Sequence, residues 1–269
     1  MSKSSLISSL QHDEVKLVRA LSRRKERTEL GLFVIEGIRF IEEAVAAQAP
    51  IRKIYFTSLL AKSERGMYLL NSLIKQNVFL QEVTVAVMDK MADTERSQGV
   101  LAIMEIPQPV IAGFDKALPF VVVCDKIQDP GNLGTIIRTA DAAGVDLVYT
   151  TMGTVDLYNP KVLRATMGSI FHVRIIPDLE SATILRELAK YGVRPVAASL
   201  VAEKSYFELN YRCPTAIWLG NEGAGIDEDI LANIAEQVRI PMPGRSESLN
   251  VSVAAAILIY ECVRQRMPD

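Results

Sequence analysis

The sequence predicts an α/β protein whose C-terminal half is a doubly wound parallel sheet. Residues 120–125, FVVVCD, form an unbroken apolar run, as expected for a strand that is buried on both faces. Similar runs alternate with helical segments as far as residue 266, which is typical of a parallel sheet covered by helices on both sides. The segment 106–119 carries three prolines and one glycine, and we place a boundary there between domains 1–108 and 109–269.

The first domain is predicted to be a smaller α/β unit. Residues 10–25 repeat apolar side chains at helical spacing, and residues 31–37 form a short β-rich run that ends in glycine. The elements expected after them are, in order, a helix at IRFIEEAVAA, a strand at IRKIYFT, a helix around 59–76, and the strand and helix segments VFLQEVTVAVMDKMADT and GVLAIMEI.

The second domain alternates more regularly. After FVVVCD we expect a helix to about residue 144, and the remaining strands and helices have the lengths and spacing of crossover units. The strands are predicted at VDLVYTT, FHVRII, RPVAAS, TAIWLG and VRIPM, and the helices at PKVLRATMG, TILRELAKYG, DEDILANIAE and SVAAAILIYECVRQR.

Composition narrows the class of protein. Of 269 residues, 49% are hydrophobic and 23% are charged, which is the balance of a folded globular chain. No apolar run approaches the ~18 residues that a membrane span needs, and the first residues lack the apolar core of a secretory signal. Three widely spaced cysteines fit neither a disulfide framework nor a zinc site. We therefore expect a cytoplasmic protein with no membrane partner and no metal.

Charge is distributed unevenly along the chain. The net charge is −2, but residues 1–108 hold 15 Lys and Arg against 13 Asp and Glu. Glu26 and Glu29 are interleaved with a local basic cluster, so a solvated helix face is one interpretation and RNA contact is the other. The basic cluster consists of Lys16, Arg19, Arg23, Arg24, Lys25 and Arg27.

Three loops beyond the carboxyl ends of predicted strands have unusual compositions, and ligands of doubly wound sheets bind at such positions. The first, 125–144, contains DPGN and Arg138, and it matches neither a Walker loop nor a dinucleotide fingerprint. It is either part of a ligand site or a simple turn with an N-cap. The second, LGNEGAGI (219–226), has three glycines that leave backbone groups open to a ligand. The third, 240–261, combines an irregular proline-rich stretch with an alanine-rich helix, for which Ser248 or Asn250 is the N-cap candidate.

Together these segments resemble the SpoU/TrmH family of 2′-O-ribose RNA methyltransferases in the SPOUT superfamily. The family signature Asn-x-Gly-x-x-x-Arg is matched by Asn132, Gly134 and Arg138. Leu-Gly-Asn-Glu-Gly-x-Gly is matched at 219–225, and Ile-Pro-Met-x-Gly-x-x-x-Ser-Leu-Asn-Val-Ser at 240–252. The resemblance extends from about residue 120 to 262. The N-terminal FVIEGIRFIEEAV is similar to the ribosomal-protein-L30-like (L30e-like) RNA-binding domain of many members.

The resemblance implies a C-terminal domain with a deep trefoil knot, an exception to the usual absence of knots. It also implies that the second and third loops bind S-adenosylmethionine, largely through backbone groups. The methyl donor is already activated in this cofactor, so the implied chemistry needs no metal. The cofactor-binding residues implied are Ser199, Leu200, Leu219, Gly220, Asn221, Gly223, Ile240, Met242, Ser248 and Leu249.

The family similarity also implies the catalytic residues. Arg138 would act with an RNA phosphate to help deprotonate a ribose 2′-hydroxyl, because a guanidinium with a pKa above ~12 is a poor base by itself; a structural salt bridge is its competing role. Asn132 would hold the substrate and the Arg138 loop, and Glu222 would position either of them. Ser248 and Asn250 would fix the knot and contact cofactor or ribose. Neither His12 nor His172 lies in a signature segment, so we predict no histidine base.

The expected partner is RNA, with ribosomal RNA of the 23S type favoured over transfer RNA because the L30-like extension accompanies ribosomal RNA methylation in many relatives. We also expect a homodimer formed through the C-terminal domain, with the helix at 252–262 as the contact surface. The alternatives are a transfer RNA 2′-O-methyltransferase, a non-catalytic RNA-binding or ribosome-assembly protein, and an unrelated doubly wound nucleotide enzyme. A housekeeping role and an antibiotic-resistance role are equally compatible with these residues.

Overall fold

Two sheets organise the part of the chain that the structure describes, which is residues 5–95, 97–108, 113, 114 and 116–267 of a computed structural model. Contacts between residues divide the chain into two units, Met1–Gln108 with Tyr158–Leu163 and Pro109–Leu157 with Arg164–Asp269. One sheet has four strands and the other has seven.

The first unit has mixed strand directions. In the order β1-β4-β2-β3, the β1/β4 and β4/β2 pairs are antiparallel and the β2/β3 pair is parallel. Its elements are α1 (Asp13–Ala20), α2 (Arg24–Leu30), β1 (Leu32–Glu36), α3 (Ile38–Ala46), β2 (Ile51–Phe56), α4 (Ser58–Ala61), α5 (Glu64–Lys75), β3 (Leu80–Glu82), α6 (Val85–Met91) and β4 (Val100–Glu105).

The basic cluster of the first unit is not a continuous exposed surface. The predicted helix at 10–25 is interrupted after Ala20, and Arg27 on α2 is only 4% exposed. Its guanidinium donates hydrogen bonds to the backbone carbonyls of Leu21 (2.7 Å) and Ser22 (2.8 Å), which ties α2 to the end of α1. Arg27 therefore belongs neither to a solvated helix face nor to an RNA-contacting surface, because its side chain satisfies buried carbonyl groups instead.

The second unit contains the predicted parallel sheet, which is confirmed: all its strand pairs are parallel, in the order β7-β6-β5-β10-β8-β11-β9. The elements after β4 are β5 (Phe120–Cys124), α7 (Pro130–Ala142), β6 (Leu147–Thr151), α8 (Pro160–Thr166), β7 (Ile175–Leu179), α9 (Ser181–Lys190), β8 (Arg194–Ala198), β9 (Lys204–Ser205), β10 (Thr215–Leu219), α10 (Glu228–Leu231), β11 (Glu236–Arg239) and α11 (Val251–Arg266). All belong to the second unit except residues 160–163 of α8, which are grouped with the first.

The order of the strands explains where a ligand can bind. From β5 the chain moves outward through β6 to β7, and it returns to place β10 on the other side of β5. The carboxyl ends of β5 and β10 are joined by a 2.8 Å hydrogen bond from the Asp125 amide to the Leu219 carbonyl. This reversal is the topological switch point at which open α/β sheets form their binding crevices.

The centre of this sheet is covered on both faces. Every residue of β5, β6 and β10 is buried. Alternate side chains, including Val121, Val123 and Trp218, pack in a cluster with Ile184 and Leu188 of α9. On α7 and α11, which contact each other, the buried side chains include those of Ile136, Ile137, Leu258 and Ile259.

Asp125 is a buried carboxylate that fixes the end of β5. It is 1% exposed and accepts hydrogen bonds from Thr151 Oγ1 (2.7 Å) and from Trp218 Nε1 (3.2 Å). Because Thr151 Oγ1 in turn accepts from the Lys126 amide at 2.9 Å, the carboxylate also holds the start of the following loop.

We expect Asp125→Ala to lower the free energy of unfolding by about 3 kcal/mol, because two buried donors lose their acceptor. Urea denaturation followed by Trp218 fluorescence measures this loss. The exposed Asp229→Ala is the matched control and should change stability by less than ~0.5 kcal/mol. Equal stability of the two variants would contradict the structural role of Asp125.

Some elements differ from the sequence-based expectations for identifiable reasons. The strand expected at VRIPM ends at Arg239, since Pro241 and Pro243 have no amide hydrogen for a sheet. The strand expected at FHVRII starts only at Ile175, after a short 3-10 turn over Ser169–Phe171. The helix expected at DEDILANIAE is the four-residue α10. The structure adds the two-residue β9, which the sequence analysis did not predict.

The three cysteines are unpaired. Burial raises the pKa of Cys124 and of Cys262 to about 12, so both stay protonated thiols at neutral pH. Within the described ranges, no helix combines the length and apolar character needed to cross a bilayer.

Candidate functional site

A cavity of about 530 Å³ lies at the carboxyl ends of β8, β10 and β11. Residues that follow these three strands line it together with the irregular segment 240–250 and the start of α11. All the residues predicted to bind the cofactor are brought together in its wall: Ser199, Leu200, Leu219, Gly220, Asn221, Gly223, Ile240, Met242, Ser248 and Leu249.

The glycine-rich loop after β10 is a tight hairpin. Asn221 and Gly225 exchange two backbone hydrogen bonds of 2.9 and 3.0 Å, and Gly225 has a φ of +73° that favours glycine. A Cβ atom on Gly220 would lie 2.4 Å from the backbone of Gly225, so no side chain fits there. The glycines allow the hairpin to fold tightly against the end of the strand.

The Asn221 side chain organises this hairpin from within. Its Oδ1 accepts hydrogen bonds from the amides of Gly223 and Ala224, both 2.9 Å long. Its Nδ2 donates to the Lys126 carbonyl at 2.8 Å. Asn221 lines the cavity, but its amide group is engaged within the protein, so its contribution to ligand binding is the shape of the loop.

Glu222 connects the hairpin to the loop before α7. Its carboxylate accepts 3.0 Å hydrogen bonds from the amides of Gln128 and Asp129 and from Asn132 Nδ2. Burial opposes ionisation, but these hydrogen bonds outweigh it and lower the pKa of Glu222 below its ordinary value of 4.5. The carboxylate is therefore an ionised anchor at neutral pH rather than a proton donor.

A second polar connection runs from Asn132 to the last helix. Asn132 Oδ1 accepts a 2.9 Å hydrogen bond from Asn250 Nδ2. Asn250 Oδ1 accepts from the Ser252 amide and from Ser252 Oγ at 2.9 and 2.6 Å. Asn250, not Ser248, is therefore the N-cap of α11. Asn132, Glu222 and Asn250 form one continuous hydrogen-bonded chain that joins all three loops.

The other two predicted catalytic residues are placed differently. Ser248 is exposed in the cavity wall. Arg138 is exposed on α7 and does not line the cavity. Its guanidinium has no ion-pair partner or hydrogen bond within the described part of the chain, so the alternative role of a structural salt bridge has no support there.

Two charged residues of the cavity wall were missed by the sequence analysis. Arg239 ends β11, and Glu247 lies in the irregular segment that follows. The rule that ligands bind beyond the carboxyl ends of parallel strands points to Arg239, once β11 is known to end there. Glu247 stands between motif residues, and nothing in its spacing distinguishes it.

Comparison with known proteins matches the two units to two family profiles. The profile of the SpoU rRNA Methylase family matches residues 119–260. The profile of an MRM3-like substrate binding domain matches residues 12–102.

Individual relatives agree with these matches over nearly the whole chain. The 23S rRNA (guanosine(2553)-2′-O)-methyltransferase RlmP of Bacillus subtilis is 35% identical, covering 94% of this chain and 97% of its own length. The structure of an AdoMet-bound rRNA methyltransferase from Sinorhizobium meliloti has a TM-score of 0.88 at 29% identity, covering 98% of this chain and 99% of that one. The AdoMet complex of the SpoU methyltransferase AviRb from Streptomyces viridochromogenes has a TM-score of 0.84 at 27% identity, covering 95% and 99%.

The parallel sheet, the cavity at the ends of β8, β10 and β11, and the two profile matches thus define an RNA-modifying methyltransferase. More particularly, the chain belongs to the SpoU rRNA methylase family, as its sequence motifs had indicated.

Proposed function

We propose that this protein transfers a methyl group from S-adenosylmethionine to a ribose 2′-hydroxyl of ribosomal RNA of the 23S type. The observation that carries the proposal is the cavity in which the second and third signature loops meet, joined to the first loop by Glu222, Asn132 and Asn250. The Bacillus subtilis relative is named for this reaction, and two structural neighbours contain AdoMet.

The cavity suits S-adenosylmethionine in size and chemistry. Its ~530 Å³ lies within the usual range for small-molecule sites. Leu219, Ile240 and Leu249 supply apolar side chains for an adenine ring, and the surrounding glycines leave backbone amides and carbonyls accessible. When bound, the cofactor supplies an activated methyl group on a sulfonium.

The protein must orient a neutral ribose hydroxyl and help remove its proton. In our proposal Arg138 binds an RNA phosphate, which accepts this proton, because the guanidinium itself remains charged. Ser248 has an exposed hydroxyl in the cavity wall, where it can contact ribose or cofactor. Asn132, Glu222 and Asn250 act as positioning residues, since their polar groups bond to one another.

We further propose that domain 1–108 binds the RNA and domain 109–269 carries the reaction. The match of residues 12–102 to a substrate-binding profile supports this division, in line with the L30-like resemblance. Ribose 2′-hydroxyls distinguish RNA from DNA, and RNA readers usually grip unpaired segments. A ribosomal RNA substrate would place the enzyme in the cytoplasm, which agrees with its three unpaired thiols.

The trefoil knot is part of the same proposal. After β11 at the far side of the sheet, residues 240–250 pass along the cavity, and α11 then packs on α7 and β10 in the middle. This return of the chain across the ends of β8 and β10 supports the proposed knot.

We expect a homodimer formed through α11. Val253 and Tyr260 are each 48% exposed, and Ala256 and Ile257 lie between them on the same helix face. Light scattering at micromolar concentration should give twice the chain mass, and Val253→Asp should give a monomer because a carboxylate would be buried without a partner. Phe207→Asp, at an aromatic residue that is 55% exposed, is the control and should stay dimeric. A monomeric wild type would contradict the dimer.

Methyl transfer from radiolabelled S-adenosylmethionine tests the proposed function. The substrates are unmodified ribosomal RNA, large ribosomal subunits and transfer RNA. Label recovered from ribosomal RNA in an alkali-stable 2′-O-methyl dinucleotide is the expected result. Label recovered only from transfer RNA would show that transfer RNA, and not ribosomal RNA, is the substrate. Cofactor binding without label in any of them would favour a non-catalytic RNA-binding role, and failure to bind the cofactor would overturn the proposal.

A further inference from the structure

A side cavity of about 410 Å³ adjoins the 530 Å³ cavity along the irregular segment after β11. In its described lining, Pro241 and Pro243 belong to the side cavity, and the other residues line both cavities. The shared residues are Leu200, Arg239, Ile240, Met242 and Glu247. Three of these are apolar and two are charged, so the wall between the cavities combines both characters.

The charged residues of the larger cavity are not equally free to meet a ligand. Within the described part of the chain they are Glu222, Arg239 and Glu247. Three hydrogen bonds from the segment 128–132 already occupy the Glu222 carboxylate. The side chains of Arg239 and Glu247 are exposed and form no ion pair or hydrogen bond, with each other or with any other described residue. Arg239 and Glu247 are therefore the charges that remain for a ligand.

These two charges have opposite signs, and this selects the kind of group that they can bind. An RNA phosphate would be attracted by Arg239 but repelled by Glu247. A group that carries an anion and a cation close together satisfies both, because each charge then forms a charge-assisted hydrogen bond to its own partner. The arrangement favours a zwitterion over a polyanion.

S-adenosylmethionine ends in such a zwitterion, since its α-carboxylate and α-ammonium are attached to one carbon. The adenine was assigned above to the apolar side chains of Leu219, Ile240 and Leu249. Arg239 immediately precedes Ile240, and Glu247 stands two residues before Leu249. The two free charges therefore lie on the same segments as the adenine contacts, which fits a ligand that is apolar at one end and doubly charged at the other.

We propose that Arg239 binds the α-carboxylate and Glu247 the α-ammonium of the methionine part of S-adenosylmethionine. The inference rests on the proposed function for the identity of the cofactor. It adds two charged contacts to a site whose signature loops otherwise offer backbone groups and apolar side chains. S-adenosylhomocysteine, the product, keeps the same amino-acid end, so these residues hold the product as well as the donor.

Calorimetric titration of the full chain tests this without requiring catalysis. The ligands are S-adenosylhomocysteine, its decarboxylated analogue, which keeps the amino group, and 5′-methylthioadenosine, which has neither charge. We expect the wild type to bind S-adenosylhomocysteine about tenfold more tightly than the decarboxylated analogue. Tenfold is the lower part of the range for a hydrogen bond to a charged group, as suits exposed side chains.

Two variants are distinguished by the ligands that they affect. Arg239→Met keeps an unbranched apolar stem without the charge, and it should weaken S-adenosylhomocysteine about tenfold without weakening the decarboxylated analogue. Glu247→Gln should weaken both of these ligands about fivefold, because an amide oxygen still accepts a hydrogen bond but carries no charge. Neither variant should change the affinity for 5′-methylthioadenosine or the melting temperature, since both side chains lack internal partners within the described residues.

Arg245→Met and Glu228→Gln are the matched controls. Arg245 is an exposed arginine of the same irregular segment, and Glu228 is an exposed glutamate on α10. Neither belongs to the described lining of the two cavities. Both control variants should bind all three ligands as the wild type does.

Wild-type affinity for S-adenosylhomocysteine in both Arg239→Met and Glu247→Gln would overturn the inference, and so would an equal loss of affinity for 5′-methylthioadenosine. Equal binding of all three ligands by the wild type would also overturn it, while the proposed function would stand. The proposed function is tested separately, by methyl transfer. The expected pattern of affinities without label in any RNA would uphold the two contacts and reject the proposed reaction.

Discussion

Arg138→Ala is expected to lower kcat for RNA methylation by about 100- to 1000-fold, the range seen when one pre-oriented group that stabilises a transition state is removed. Stability should change little, because the guanidinium is exposed and has no ion-pair partner within the described residues. The dissociation constant for S-adenosylmethionine should also stay the same, since Arg138 does not line the cavity. Single-turnover methylation and calorimetric titration of the cofactor measure the two effects separately.

Two further variants make this test specific. Arg138→Lys keeps the charge but loses the planar, bidentate donor arrangement, so we expect it to recover only part of the rate. Arg186→Ala removes an exposed arginine from α9, where it bonds within its own helix, and should leave kcat unchanged. A rate loss in Arg138→Ala matched by a fall in melting temperature would identify a structural role instead.

Glu222→Gln is expected to weaken S-adenosylmethionine binding about tenfold and to lower stability by about 1–2 kcal/mol. The new amide group would direct a donor at one of three donors that now converge on the carboxylate. The expected loss is modest because the side chain is partly exposed and solvent screens its charge. Isothermal titration and thermal unfolding measure the two losses, and Glu228→Gln on α10 is the matched control. Unchanged cofactor affinity would show that the hairpin holds its shape without this anchor.

The lowered pKa of Glu222 also predicts a pH dependence. A carboxyl group whose pKa is lower in the folded than in the unfolded state stabilises the fold fully above its ordinary value of 4.5. This contribution is lost as the pH falls from 4.5 toward the lowered pKa. The difference in stability between wild type and Glu222→Gln should therefore shrink in acid below pH 4.5. A constant difference throughout that range would contradict an ionised anchor.

Periodicity and residue type were sufficient to predict the parallel sheet from the sequence, but not to predict where its strands end or how its loops are arranged. The run FVVVC predicts a buried parallel strand because a strand covered on both faces leaves no polar position. Pro241 and Pro243 follow the end of β11, and Asn233 donates a side-chain hydrogen bond to the Asp229 carbonyl of the short α10. Strand order is likewise set by packing between distant segments, so the sequence alone did not place β10 beside β5.

The candidate site was likewise only partly predictable from the sequence. The motifs identified the loops, because glycine and proline in such numbers are needed only where backbone must lie open or bend sharply. They did not reveal that Asn221 is occupied within its own hairpin, and they left open whether Ser248 or Asn250 caps α11.

The hydrogen bond between Asn132 and Asn250 joins residues that are 118 positions apart in the chain. During synthesis, β5 and α7 leave the ribosome long before the segment 240–250 that closes the cavity wall. A nascent or truncated chain can therefore form much of the sheet while lacking the pocket. Contacts of such long separation also form late in folding, because they close large loops. The proposed cofactor site exists only in the finished fold, so S-adenosylmethionine bound there would stabilise completed molecules by mass action.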